Sequence, residues 1–352
     1  MAVLTEEQTM LRDAAKAWTQ EKSPVTAFRK LRDSGNADGF DRAVWREMAE
    51  MGWAGIVIPE EYGGTGLGTL TLGIVLEETG RTLTASPLLS TALIAACAIL
   101  LGGSEAQKKE WLPKIAEGSV VAAFAIDEGP HHHPDRLTMT RTLSGTKHFV
   151  ADGGAADLII VATRDGVFLV HGDAKGLTRQ RLSSVDSRGF ANLTFENVTA
   201  EPLSVSLDQV LDRARAGLAA EMLGTATQAF EITLDYLKTR TQFGQLIGTF
   251  QVLQHRAAKM YTELELTRSC VEAALTAIDT SANDVAQLAS LAKAKASETL
   301  HLVSNEMVQM HGGIGMTDVH DAGLYLKRAR VAEALYGSAS FHRDRYATLL
   351  NY

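Results

Sequence analysis

Apolar positions along the chain change period twice. From Thr5 the pattern is helical: Thr5 can cap the first turn, Gln8 three residues on can complete a capping box, and Met10, Leu11, Ala14 and Trp18 mark one face. Val44, Met48 and Met51 keep helical spacing within 43–51, and Leu72, Val75, Leu76 and Thr79 fall at i, i+3, i+4 and i+7. Near Val120 the period shortens. A short apolar run over 120–126 is followed by His148-Phe149-Val150, 158–162, 167–170 and 193–198, β-branched segments separated by Asp-Gly, Gly-Gly and Ser-Gly steps. After Pro202 long helical patterns return over 207–239, 250–278, 283–310 and 320–350, with turns at Phe243-Gly244 and Gly312-Gly313.

Helices, then strands, then helices, without βαβ alternation, predict an α+β fold and argue against a doubly wound nucleotide-binding sheet. The expected organisation is an N-terminal helical domain over 1–118, a middle antiparallel β domain over 119–205 and a C-terminal four-helix bundle over 206–352.

Composition narrows the function classes. With 352 residues, 45% hydrophobic and 22% charged, the chain can bury a large core. A net charge of −8, with basic residues scattered, is a poor match to nucleic acid or an anionic membrane. Cys97 and Cys270 stand in no C-x-x-C spacing and read as buried thiols of a reducing compartment. The start, Met1 to Glu7, has no basic segment leading into an apolar core, and Ala92 to Leu101 is too short to span a bilayer, so the expected location is cytoplasmic. His131, His132 and His133 are consecutive in a loop, where ring nitrogens seldom converge on one ion; they read as a solvated loop, and no metal is expected.

Three blocks carry candidate chemistry: Gly55-Ile56-Val57-Ile58-Pro59-Glu60-Glu61-Tyr62-Gly63-Gly64, then Arg240-Thr241-Gln242-Phe243-Gly244 with Phe250-Gln251, then Gln309-Met310-His311-Gly312-Gly313-Ile314-Gly315. Arg240 offers a planar five-donor fork suited to a pyrophosphate, and Phe243 an apolar face for an adenine ring. Gly312 and Gly313 let a backbone approach a phosphate and present amides to it, while Gln251 and Gln309 add neutral donors. The last block follows a helix and lacks a third glycine, so it is not a Rossmann fingerprint.

In order and spacing these blocks resemble the acyl-CoA dehydrogenase family over essentially the whole chain. The resemblance implies a dimeric or tetrameric assembly with FAD lying across a subunit interface, and oxidation of the Cα–Cβ bond of a CoA thioester. It implies that Arg240, Phe243, Gln251, Gln309, Gly312 and Gly313 reach across to a neighbour's FAD, that Phe149 packs on a flavin ring, and that Arg215 lies at the substrate.

Departures from the family pattern are concentrated. The reaction needs a base for the α-proton, and the family uses a glutamate. At the usual place this chain reads Leu335-Tyr336-Gly337-Ser338-Ala339, and the alternative place, counted back from Arg240, is Ala214 followed by Arg215. Neither Tyr336, with an ordinary pKa of about 10, nor Asp212, two residues from Ala214 along a helix, is a suitable replacement. The family's threonine-glutamate-proline turn is replaced by Asp127-Glu128-Gly129-Pro130 and the three histidines, and its tryptophan-isoleucine-threonine run by Phe149-Val150-Ala151. Asp127 places negative charge where hydride must be accepted, and Ala151 has no hydrogen-bond donor in its side chain. The expectation is a non-catalytic subunit resembling those of two-subunit enzymes acting on CoA thioesters of steroid side chains, paired with a homologous catalytic subunit. The alternatives are a self-assembled active dehydrogenase with an unusual base, and a flavin-free acyl-CoA-binding or structural protein.

Overall fold

A computed structural model describes residues 4–352, so Met1-Ala2-Val3, read above for a leader, lie outside the described residues. The first helices are α1 (Glu6–Lys22), α2 (Val25–Asp33), α3 (Arg42–Glu50), α4 (Gly68–Arg81), α5 (Ala96–Gly102) and α6 (Glu105–Ala116). Strands follow: β1 (Ala122–Ala125), β2 (Leu143–Ala151), β3 (Leu158–Thr163), β4 (Gly166–His171), β5 (Leu177–Ser183), β6 (Gly189–Val198) and β7 (Glu201–Leu203). The rest is α7 (Leu207–Thr239), a hairpin of β8 (Thr241–Gln242) and β9 (Gln245–Leu246), then α8 (Gln251–Asp279), α9 (Val285–His311), α10 (Ala322–Ala334) and α11 (Ala339–Leu349). This is the helix, strand, helix order that the periodicity predicts.

Local chemistry sets several boundaries. Thr5 and Gln8 form the expected reciprocal box at the start of α1, with both bonds at 3.1 Å. Ser104 and Gln107 repeat it at α6, with bonds of 2.8 and 3.3 Å. Each box satisfies two of the amides that a helix start leaves without partners.

Internal contacts divide the chain into two compact units, one made of residues up to Val25, Gly73–Thr84 and Leu218–Tyr352, the other of Thr26–Leu72 and Ala85–Gly217. The second unit contains two sheets, ordered β1-β3-β4-β7 and β2-β6-β5. Ala123, Ala125, Leu143, Val150, Ile159, Val161, Leu193 and Phe195 form part of the hydrophobic core there. One expectation is corrected: β1 pairs with β3 in parallel, Ala122 opposite Leu158, so the domain is not wholly antiparallel. The intervening strand β2 belongs to the other sheet, so the chain crosses over before returning. A buried π-helical stretch, Leu88–Ala95, stitches to β1 through Thr91, whose hydroxyl donates to the Ala122 carbonyl and accepts from its amide.

In the first unit α8 and α9 pack as an antiparallel pair, and Thr267 and Thr299 share a buried hydroxyl contact of 2.7 Å across them. Here the second correction falls. The pattern over 320–350 predicts one helix, but the chain breaks between α10 and α11, where Tyr336 has φ 56° and Gly337 φ 111°. The break is held by Lys293 of α9, itself fully buried, whose ammonium donates to the Glu333 carbonyl at 3.3 Å, the Gly337 carbonyl at 3.0 Å and Ser297 Oγ at 3.1 Å. A cation on carbonyls at a helix C-terminus satisfies acceptors that the broken helix would otherwise bury bare. No helix among the described residues is long and apolar enough to cross a membrane.

Candidate functional site

The unit holding the C-terminal helices presents Arg240, Phe243, Gln251, Gln309, Gly312 and Gly313. Arg240 follows α7, is exposed, and makes no ion pair among the described residues. Phe243 and Gly244 form the two-residue corner between β8 and β9 with φ of 54° and 78°, the signature of a primed hairpin turn. A phenylalanine in left-handed backbone is uncommon and costs about 1 kcal/mol. Yet its ring is 90% exposed, set edge-on to Phe250 at 6.2 Å between centroids. Gln251 opens α8 and Gln309 lies in the last turn of α9, both exposed. Gly312 caps α9 with φ 63°, and a methyl group built on Gly312 or Gly313 would meet nothing within 4 Å. The structure therefore offers an open, donor-rich edge.

A short aromatic stack joins the two parts of this edge. Tyr236, four residues before Arg240, stacks on His311 at 4.3 Å, and His311 lies 4.2 Å from the ring of His320. Sequence reasoning missed these three residues; the one local signal was a histidine directly before Gly312-Gly313.

The base positions are closed. Ala214 is fully buried. Gly337 has no room for a side chain, because a Cβ there would lie 2.6 Å from Phe341 and 2.8 Å from His342 Nε2. Tyr336 is buried in left-handed backbone, and its carbonyl accepts a bond from His342 Nε2 at 3.0 Å. Arg215, the expected substrate contact, is fully buried and paired with Asp212 Oδ1 at 3.0 Å within α7. Asp212 thus neutralises an arginine instead of facing the empty base position.

The segment in place of the flavin-ring loop is also internally satisfied. Glu128 accepts from the amide and hydroxyl of Thr138, both at 2.6 Å, from the Met139 amide at 3.1 Å, and from Lys147 Nζ at 2.7 Å. Burial alone would raise its carboxyl, but the bonds from Lys147 and Thr138 outweigh it and hold it at about 2. Lys147 is fully buried, and burial pulls its ammonium below the usual range against the pull of Glu128. The expectation of a solvated histidine loop is corrected at its centre: the His132 side chain is only 5% exposed and its Nδ1 is 2.8 Å from Asp127 Oδ1. His131 and His133 remain exposed, and among the described residues no three metal-ligating side chains gather. Phe149 sits in a bulge of β2 with φ 52°, half-exposed, its amide donating to Asn192. Ala151 pairs with Phe190 and brings only a methyl group.

Comparison with known proteins decides the family. The profile described as acyl-CoA dehydrogenase, N-terminal domain, matches residues 5–119, and that described as acyl-CoA dehydrogenase, C-terminal domain, matches residues 203–350. The chain belongs to the acyl-CoA dehydrogenase family. Among its acyl-CoA dehydrogenase relatives, IpdE2 of Mycolicibacterium smegmatis is 33% identical over 337 residues, covering 95% of this chain and 96% of that one. IpdE2 of Mycobacterium tuberculosis is 34% identical over 338 residues, with coverage of 95% and 94%. Among solved acyl-CoA dehydrogenases, a Tcur3481-Tcur3483 steroid variant superposes with a TM-score of 0.92 at 33% identity, over 98% of each chain.

Members of the acyl-CoA dehydrogenase family use FAD. The donor set on the open edge fits the pyrophosphate and adenine of that cofactor: a guanidinium without an ion-pair partner among the described residues, a presented aromatic face, and two glycines with clear space above them.

Proposed function

We propose that this chain is the non-catalytic subunit of a two-subunit, FAD-dependent acyl-CoA dehydrogenase. It lends Arg240, Phe243, Gln251, Gln309 and the Gly312-Gly313 turn to an FAD whose ring is held by a homologous partner that carries the base. When bound, FAD supplies the acceptor for the Cβ hydride while a base takes the Cα proton. The observation that carries this reading is the contrast between an open, donor-rich edge and family base positions that hold no carboxylate: Ala214, fully buried, and Tyr336-Gly337, buried and without room for a side chain at Gly337. In this reading Arg215 serves the buried turn of α7 and does not touch substrate. The likeness to a steroid acyl-CoA dehydrogenase of two named chains supports a bulky, steroid-type acyl group and an unlike partner.

The test is stoichiometry together with turnover. The assembly purified through this chain is expected to hold one FAD per pair of unlike chains. The chain alone is expected to turn over acyl-CoA far below ~1 per second, the low end for ordinary enzymes. Two FAD per pair, or ordinary turnover by the chain alone, overturns the reading.

A second reading has one observation in its favour. Asp127 orients the His132 ring, and an imidazole held by a carboxylate is a standard general-base arrangement. In that case the chain is an active self-assembled dehydrogenase, and its turnover alone would be lost in His132→Gln.

A further inference from the structure

The two parts of the open edge come from distant stretches of sequence, 240–251 and 309–313, yet a pyrophosphate clamp works only if both are held in register. One physical link between them is the ring stack of Tyr236, His311 and His320. Tyr236 lies on α7, and its carbonyl accepts the Arg240 amide at 2.9 Å. Its hydroxyl donates to the His311 carbonyl at 3.5 Å, one residue before Gly312. His311 is 3% exposed, and Nδ1 lies 2.7 Å from the Met307 carbonyl, which makes Nδ1 the protonated nitrogen. Nε2 is then a bare acceptor, buried and without a hydrogen-bond partner among the described residues. On the far side the His320 ring is fixed in turn, because its Nδ1 accepts from the Ala322 amide at 3.1 Å.

A buried imidazole with an unanswered nitrogen is costly, and a leucine would fill the same space more cheaply. What histidine adds is a flat ring between two others and a bond to the last helical turn, which together fix where α9 ends and the glycine turn begins. We propose that His311 is a positioning residue for the cofactor: clasped between Tyr236 and His320, it sets the Gly312-Gly313 turn against the Arg240 fork so that both engage one pyrophosphate. This rests on the function proposed above.

The clasp requires the neutral ring. Burial pushes the His311 pKa down, and the neighbouring His320 adds to that against the bond to Met307. Tyr236, from α7, and His320, from the segment leading into α10, are the titratable rings that stack on it. The folded pKa lies below the unfolded one, so the stabilising effect is complete above the ordinary histidine value near 6.5 and fades as pH falls through it towards the lowered value.

The experiment measures FAD per assembly by flavin absorbance over a dilution series, in assemblies purified through this chain, at pH 7.5. Arg240→Ala, His311→Ala and His311→Phe are compared with wild type, with helix content checked by circular dichroism. His311→Ala is expected to weaken FAD binding at pH 7.5 by about tenfold, the fold-change that two ring contacts are worth, with helix content unchanged. His311→Phe keeps a ring in the stack, so it is expected to stay within about threefold of wild type. If Arg240→Ala weakens binding and His311→Ala does not, the positioning role is overturned while the cradle stands. If His311→Phe is as weak as His311→Ala, the ring clasp is likewise overturned. If neither Arg240→Ala nor His311→Ala changes FAD binding, the cradle itself is wrong and this inference falls with it.

Discussion

The edge around Arg240 and the loop around Glu128 are built in opposite ways. At the edge, polar and aromatic groups are left open: Arg240 has no ion pair among the described residues, and Phe243 is held in left-handed backbone with its ring in solvent. In the loop, the charged groups at its base are answered within the chain, Glu128 by Lys147, Thr138 and Met139, and Asp127 by His132. An exposed guanidinium is answered by water alone and remains available to a ligand. A loop that has satisfied itself has little left to offer a ligand. In the proposed function, the asymmetry separates a surface kept for binding from one released from it.

The largest expected effect breaks the closed side of that comparison. Glu128→Ala strips the buried Lys147 of its carboxylate, and an uncompensated buried charge costs about 3–5 kcal/mol, read as a lower urea midpoint. Glu128→Gln sharpens the same point through pH. The wild-type carboxyl titrates at about 2 instead of its ordinary 4.5, so its contribution is complete above 4.5 and lost as pH falls towards 2. The variant should lack this acid-dependent loss, which amounts to ~2 kcal/mol after allowance for partial solvation.

Next in size is Ala214→Glu, which places a carboxylate in a fully buried helical position and should cost about 2–4 kcal/mol by thermal unfolding. The substitution should not allow substrate to bleach flavin rapidly under anaerobic conditions, since the loop at 127–138 and Ala151 are unchanged.

Two smaller effects probe the open side. Arg240→Ala should weaken FAD in the assembly by about 1.5–3 kcal/mol, one to two powers of ten in affinity, with no change in unfolding midpoint when cofactor is removed. Phe243→Ala should cost only about 0.5–1.5 kcal/mol of FAD affinity, the worth of one aromatic contact. A change in the cofactor-free unfolding midpoint for either variant would mean that these side chains hold the fold and not the ligand.

What the chain discloses before folding depends on how local the cause is. The Thr5–Gln8 box was legible because both partners lie within one turn. Strand β5 was not, since Leu177–Ser183 turns most of its side chains to solvent and shows no apolar alternation. The break at Tyr336-Gly337 depends on Lys293, 43 and 44 positions earlier, and could be glimpsed only as a glycine before a capping serine. Arg240, Phe243 and the glycine turn stand out in the sequence by residue type and spacing, and the structure leaves them exposed. The burial of His132 was not, because pairing with Asp127 is decided by the path of the loop.

In the proposed function, Gly337 shows why a carboxylate beside Tyr336 is hard to install. Phe341 and His342 stand where its side chain would begin, so a glutamate at that position would first have to push an aromatic ring and an imidazole from their places. The imidazole also ties down the Tyr336 carbonyl, so moving it loosens the turn that must aim the new carboxylate. A glutamate at 337 therefore needs a second change to make room for it. In the language of mutational paths, the way to a carboxylate here runs through two steps and not one.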